Sequence, residues 1–250
     1  MSMSMAAGLP QPPKPLNLPE LLDRAFQEYR RHFLFFATIA IICVLPEVIA
    51  DWIWGYGLPI LGTRLLVAPF ALGLLYISAT QVVIWNEASL TAVLQAALLR
   101  YFAFAGVVFG YILCAISLVL VLPLGLWIFV RWSMAAPSVA AEPIGSKAAI
   151  RRSNVLVKGA WWRCFATIVA VVGLSAVVAV ILGMCAGVAV AFVPLPEYTS
   201  MMLAGTAAVL TGSLVTPLVA IAFSLLYVDL RVRKEGFDLD YLARSAAQAA

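Results

Sequence analysis

Charged side chains are scarce. They make up 11% of the 250 residues, where a soluble domain carries roughly 25%. A soluble fold of this size would have too little polar surface to cover itself. A soluble enzyme, a disordered chain and a disulfide scaffold are therefore excluded. Histidine occurs once, as His32. That rules out a metal site built from several imidazoles and leaves acid–base chemistry to 12 scattered carboxylates. Cys43, Cys114, Cys164 and Cys185 form no CxxC pair and stand in apolar stretches. Zinc needs clustered ligands and disulfide frameworks need regular spacing, so all four read as buried small apolar residues. There is no Walker loop, no GxGxxG with a following acid, no HExxH and no GxSxG. No cofactor and no metal is expected.

What remains is apolar: 64% of the residues are hydrophobic, with a mean hydropathy of +1.02. This predicts an all-α polytopic membrane protein. Residues 1–16 form a proline-rich, disordered lead-in with no apolar signal-peptide core. Residues 17–235 form a single transmembrane domain, and 236–250 a cytoplasmic tail. A spanning helix needs about 20 apolar residues. Candidates are Phe33–Ala50, with a kink at Pro46, then Leu65–Trp85, Cys164–Val193 and Met201–Leu230. The stretch Tyr101–Ala141 has no acidic residue. As one helix it would be about 60 Å long at 1.5 Å per residue, twice the hydrocarbon thickness. Two spans with a tight turn near Pro123 and Gly125 are expected instead, which places Arg131 inside a span.

Lysine and arginine collect on the cytoplasmic side of membranes. With six spans and both ends inside, every Lys and Arg except Arg64 and Arg131 falls on that side. Five spans would force the segment before Phe33 or the segment 142–163 outside. The outer loops are then 51–64, a turn near 121–125, and 194–200. Trp52, Trp54, Tyr56 and Tyr198 are placed to form an interfacial aromatic belt.

Three segments on the inner side carry helical stripes. In 17–32 the stripe is Leu18, Leu21, Leu22, Ala25, Phe26 and Tyr29, with Asn17 and Glu20 at capping-box spacing. In 89–100 it is Leu90, Val93, Leu94, Ala97 and Leu98. In 146–158, Lys147, Arg151, Asn154 and Lys158 share a polar stripe, with Ala149, Val155 and Leu156 away from it. Each predicts a helix lying in the interface plane, followed by a transmembrane hairpin. The chain then reads as three units: 17–85, 86–141 and 142–235.

Among candidate functional residues, Arg131 is costly at mid-bilayer and needs a partner or water. Glu142 and Asp229 are its candidate partners, and snorkelling to the headgroups is the alternative. Glu47 and Asp51 share a helix face near the outer surface, as an ion path or simply as an interfacial helix end. Arg151, Arg152, Lys158 and Arg163 cluster with Trp161 and Trp162. This pattern suits anionic lipid headgroups, at about 1 kcal/mol per charge, and it also serves to set topology. Gly183 with Gly187, and Gly106 with Gly110, form GxxxG spacings for close helix packing, within the monomer rather than between copies.

The segment Tyr227–Leu239 (YVDLRVRKEGFDL) resembles the C-terminal signature of a bacterial membrane family. Arg131–Pro137 (RWSMAAP), Glu142, Ala149–Ser153 (AIRRS) and Lys158–Arg163 (KGAWWR) are similar to its central motif. Leu21–Phe33 (LLDRAFQEYRRHF), followed by Pro46, resembles its opening. The family is the membrane domain attached to some glycerophosphoryl diester phosphodiesterases. The resemblance covers most of 17–240 and implies a bacterial inner-membrane protein of a largely uncharacterised polytopic group. In that family the hydrolytic activity belongs to a separate barrel domain with its own histidines and metal-binding acids, so no enzyme activity is expected here. The leading expectation is a non-catalytic protein that organises membrane lipids or partner proteins through a basic inner face, with no nucleic-acid partner. A transporter or channel for a small or lipidic solute is the alternative, and a membrane-embedded lipid enzyme ranks third.

Overall fold

The computed structural model describes residues 16–54, 58–86, 88–194 and 196–236. The proline-rich lead-in up to Pro15, Tyr56 and the tail beyond Gly236 lie outside the described residues. The described chain is α-helical, and six segments are long and apolar enough to cross a membrane: Phe33–Ile53, Gly62–Trp85, Tyr101–Leu120, Leu122–Ala141, Trp161–Ala191 and Glu197–Glu235. The protein is an all-α polytopic membrane protein.

The elements follow one another as a short helix and then a hairpin, three times over. The first group is α1 (Leu18–Arg31), α2 (Phe33–Trp54) and α3 (Leu58–Thr80), which runs into a π-helical turn at Gln81–Trp85. The second is α4 (Leu90–Leu99), α5 (Tyr101–Leu120), α6 (Leu122–Trp132) and α7 (Ala135–Ala141). The third is α8 (Ser146–Val157), α9 (Trp161–Ala191), α10 (Glu197–Ser213) and α11 (Thr216–Glu235). Helix α1 starts where its sequence signals a start. The Asn17 amide donates to Glu20 Oε2 at 2.9 Å, and a proline sits in the first turn, where no amide hydrogen is needed. Helix α11 is the centre of the bundle. It packs against α1, α2, α3, α7, α8 and α9 and is buried from Ala220 to Leu230, a stretch that is apolar on nearly every side up to Val228.

The first hairpin is tighter than a 51–64 loop. Helix α2 extends to Trp54 and α3 begins at Leu58, so Asp51 and Arg64 lie on facing helices and form an ion pair at 3.5 Å. Helix α2 runs through Pro46 without a break. The second hairpin turns at Val121, with Pro123 in the first turn of α6. A Cβ on Gly125 would lie 2.3 Å from both the amide nitrogen and the Cα of Leu118. Only a residue without Cβ lets the two backbones approach that closely. Gly159, between α8 and α9, has φ +81, the left-handed region that glycine enters without steric cost.

Two of the spans are broken. Residues 133–134 separate α6 from α7, and 214–215 separate α10 from α11. Each break lies just ahead of a proline, Pro137 or Pro217, whose i−4 carbonyl is that of Ser133 or Ser213. A proline removes the hydrogen bond to the carbonyl at i−4 and clashes with it. Irregular backbone at membrane depth must find partners inside the protein, and here the short helices supply them. Ser153 of α8 donates to the Arg131 carbonyl at 2.6 Å and accepts from the Met134 amide at 3.1 Å. Tyr29 of α1 donates to the Leu214 carbonyl at 2.6 Å. Thr216 closes the Ser213 carbonyl at 2.7 Å. Ser153 is fully buried, so Ser153→Ala strands a donor and an acceptor together. The expected cost is about 2–3 kcal/mol at roughly 1–3 per unsatisfied group. Thermal melting in detergent tests this, and an unchanged midpoint would remove the hydroxyl from the account of the break.

Within the stripes Leu21, Ala25, Val93, Ala97, Ala149 and Leu156 are buried, whereas Phe26, Leu98 and Val155 are exposed. Cys43, Cys114 and Cys164 are buried, but Cys185 is exposed. That corrects the expectation of four buried thiols: Cys185 lies on α9, much of whose surface faces away from the bundle. Gly106 and Gly110 do sit at close contacts. A Cβ on Gly106 would collide with Ser146, and one on Gly110 would touch Trp132. Gly183 faces Ala208 of α10 at 3.8 Å, whereas Gly187 faces open space. The second glycine of that pair is therefore not a packing position within the chain.

Candidate functional site

Eight of the 16 lysines and arginines meet at one end of the bundle, where α8, the start of α9 and the end of α11 come together. Two carboxylates organise them. Asp229 has a fully buried side chain. It accepts from the Leu16 amide at 2.8 Å, from Arg163 at 2.9 Å and from Arg233 at 3.1 Å. Arg163 and Arg233 both also donate to the Leu16 carbonyl. The second carboxylate is Glu142, just after α7. Its Oε1 accepts from Arg152 Nη2 at 3.0 Å and Nε at 3.1 Å, and from the Tyr227 hydroxyl at 2.7 Å. Arg152 also pairs with Glu235. That hydrogen bond, more than any other contact, raises the pKa of the Arg152 guanidinium above its usual value. Arg231 lies 3.9 Å from Glu142 and 3.1 Å from Glu235. Lys234 donates to the carbonyls of Val155 and Lys158.

Arg131 is not part of this network. Glu142 and Asp229 were its candidate partners, with snorkelling to the headgroups as the other reading; its guanidinium stacks over Trp127, 4.5 Å from the ring centroid. Trp127 is four residues earlier on the same helix, so the contact follows from α6 alone. Glu142 and Asp229 are taken by other arginines. The three polar candidates thus fall into three separate environments.

The basic cluster also divides. Arg152 and Arg163 are locked into ion pairs that hold α8, α9 and α11 together. Lys147, Arg151 and Lys158 are exposed, and no ion pair among the described residues engages their side chains. Lys147 and Arg151 are four residues apart on α8, hence on one face. They flank a surface cavity of about 460 Å³ whose apolar walls include Ile144, Ala148 and Val155. Trp162 is 75% exposed beside Lys158. Trp161 stacks on Phe165 with ring centroids 5.2 Å apart and belongs to the packing. Among the described residues no three His, Cys, Asp or Glu side chains gather as a metal-binding group.

Several participants escaped the sequence reading. Tyr227, Arg231 and Glu235 complete the Glu142 cluster, and Arg233 the Asp229 cluster. The spacing Asp229–Arg233 and Arg231–Glu235, each four residues, was a usable local signal for half of the network. Another is Arg100, at the α4–α5 corner. Its Nη1 donates to the carbonyls of Val139 at 2.7 Å and Ala140 at 2.8 Å, and burial lowers its pKa. No family model, curated protein or solved structure matches this chain.

Proposed function

We propose that this chain is a non-catalytic protein of the bacterial inner membrane, with both ends in the cytoplasm, that gathers anionic lipids through its basic face. A partner protein presenting acidic groups to the same face is the second form of this reading. The observation that carries it is the pair Lys147 and Arg151. They are exposed cations at one helical face, unconsumed by the ion pairs around them, beside a cavity with apolar walls. A phosphate takes the two charges and an acyl chain takes Ile144 and Val155. Trp162 stands where aromatic side chains favour the headgroup level. The positive-inside rule places this end of the bundle in the cytoplasm, where anionic lipids give the leaflet a negative potential. The likeness of Arg131–Arg163 and Tyr227–Leu239 to the phosphodiesterase-associated membrane domain agrees with an inner-membrane location and supplies no hydrolytic residues. The buried helices α7 and α11 fill the centre of the bundle, which favours this reading over a channel for a small or lipidic solute.

The test is native mass spectrometry of the full chain after reconstitution with equal phosphatidylglycerol and phosphatidylcholine. Lys147→Ala with Arg151→Ala removes two charges at about 1 kcal/mol each, so anionic lipid should bind about 30-fold more weakly. Equal retention by the double variant would reduce these residues to topology signals and move the search to protein partners.

A further inference from the structure

A second cavity, of about 440 Å³, shares no lining residue with the first. Its walls are the π-helical turn after α3, the α4–α5 corner and the end of α7, and they include Gln81, Trp85, Ala96, Arg100 and Ala141. Three features mark it as built for a ligand. Arg100 projects into it with no carboxylate partner among the described residues. Among the described residues only its Nη1 is engaged, by two carbonyls at the C-terminal end of α7, so Nε and Nη2 remain as donors. The Gln81 Oε1 is buried and has no hydrogen-bond partner among the described residues, a state that costs free energy unless something fills it. Gln81 also opens the π-helical turn, which ends at Asn86 in a left-handed conformation with φ 53. Such turns concentrate at functional positions because they displace side chains from the regular helical register.

The surroundings indicate the ligand's physical form. Leu98, Leu99 and Phe102 flank Arg100 in sequence and are 64%, 86% and 86% exposed. Trp85, at the rim, is 60% exposed. In a membrane protein these groups face acyl chains or the interfacial layer. Arg100 stands at the end of the span Tyr101–Leu120, beside α7 and the Glu142 cluster. The cavity therefore opens at headgroup depth rather than into water alone.

We infer that this cavity holds the headgroup of an anionic phospholipid bearing hydroxyl groups, with its phosphate on Arg100 and a hydroxyl donating to Gln81. The site is separate from the α8 face and does not depend on the reading of that face. The shared chemistry is a phosphate, so a free phosphate ion is the competing source, and the experiment separates the two.

The full chain is exchanged into micelles with equal phosphatidylglycerol and phosphatidylcholine, and retained lipid is read by native mass spectrometry. Gln81→Glu puts a carboxylate beside Arg100, which occupies the guanidinium and repels a phosphate. Ala96→Leu fills the cavity without a change of charge. Each should lower retention of one phosphatidylglycerol at least tenfold, while the variant carrying Lys147→Ala and Arg151→Ala keeps that lipid. Ala96→Leu decides the matter if Gln81→Glu does not fold. The inference falls if phosphatidylglycerol is retained equally in the cavity variants. It also falls if phosphatidylcholine is held as well as phosphatidylglycerol. A third defeat would come from millimolar inorganic phosphate displacing the retained lipid and giving its own Arg100-dependent ³¹P signal.

Discussion

Asp229→Ala should destabilise this protein more than loss of any exposed carboxylate. The side chain is fully buried and neutralises two guanidiniums while accepting the Leu16 amide. Removing one partner of a buried pair typically costs about 3–5 kcal/mol, because the other charge is left without compensation. The Arg163 and Arg233 side chains keep 30% and 38% of their surface, so water can recover part of that loss. The expectation is accordingly near the lower bound, about 3 kcal/mol. Asp229→Asn keeps an acceptor for Leu16 and should fall between wild type and alanine. Glu197→Ala, at the exposed start of α10, should be neutral. Melting followed by tryptophan fluorescence in a mild detergent would order the three variants. An Asp229→Ala midpoint within error of wild type would mean that the arginines hold the helices without their buried counter-ion.

The other large effect is steric. At Gly125→Ala the new methyl carbon would stand 2.3 Å from two backbone atoms of Leu118 and 2.7 Å from the carbonyl carbon of Ser117. No side-chain rotation relieves a contact with backbone, so α5 and α6 must separate. Overpacking ordinarily costs about 1–3 kcal/mol. A displaced hairpin also moves Trp132 away from Gly110 and the Arg131 carbonyl away from Ser153, so the loss should reach or exceed the top of that range. The sharpest reading is a pair of engineered cysteines across α5 and α6. Their crosslinking rate should fall with alanine at 125, and an unchanged rate would show that the turn has slack. Gly145→Ala, where a Cβ meets nothing within 4 Å, is the matched control.

The spans were legible because each is an apolar run bounded by charge or turn residues, a pattern the bilayer itself imposes. The breaks were not. Pro46, Pro69, Pro137 and Pro217 carry the same local signal, yet only the last two end a helix. At those two, Ser153 and Tyr29 reach carbonyls beside the breaks, Arg131 and Leu214, from other elements. The division between Arg151 and Arg152 had the same origin. Neighbouring positions on a helix point about 100° apart, so one arginine turns inward to Glu142 and Glu235 and the other stays outside. Sequence adjacency grouped them, and helix geometry separates them. The candidate pairing of Arg131 with Glu142 or Asp229 rested on the cost of a charge at mid-bilayer, and it passed over the aromatic ring one helical turn away.

The Asp229 cluster also sets a timetable. Leu16 and Asp229 are 213 positions apart, and ribosomes add about 5–20 residues per second. Roughly 10–40 s separate the synthesis of the two. Through that interval α1 has emerged and cannot dock in its final place, because the carboxylate that holds its leading edge does not yet exist. Its apolar stripe, Leu21 and Ala25 included, must wait against the lipid surface or a chaperone until α11 inserts. Helix α1 is thus made well before it is fixed.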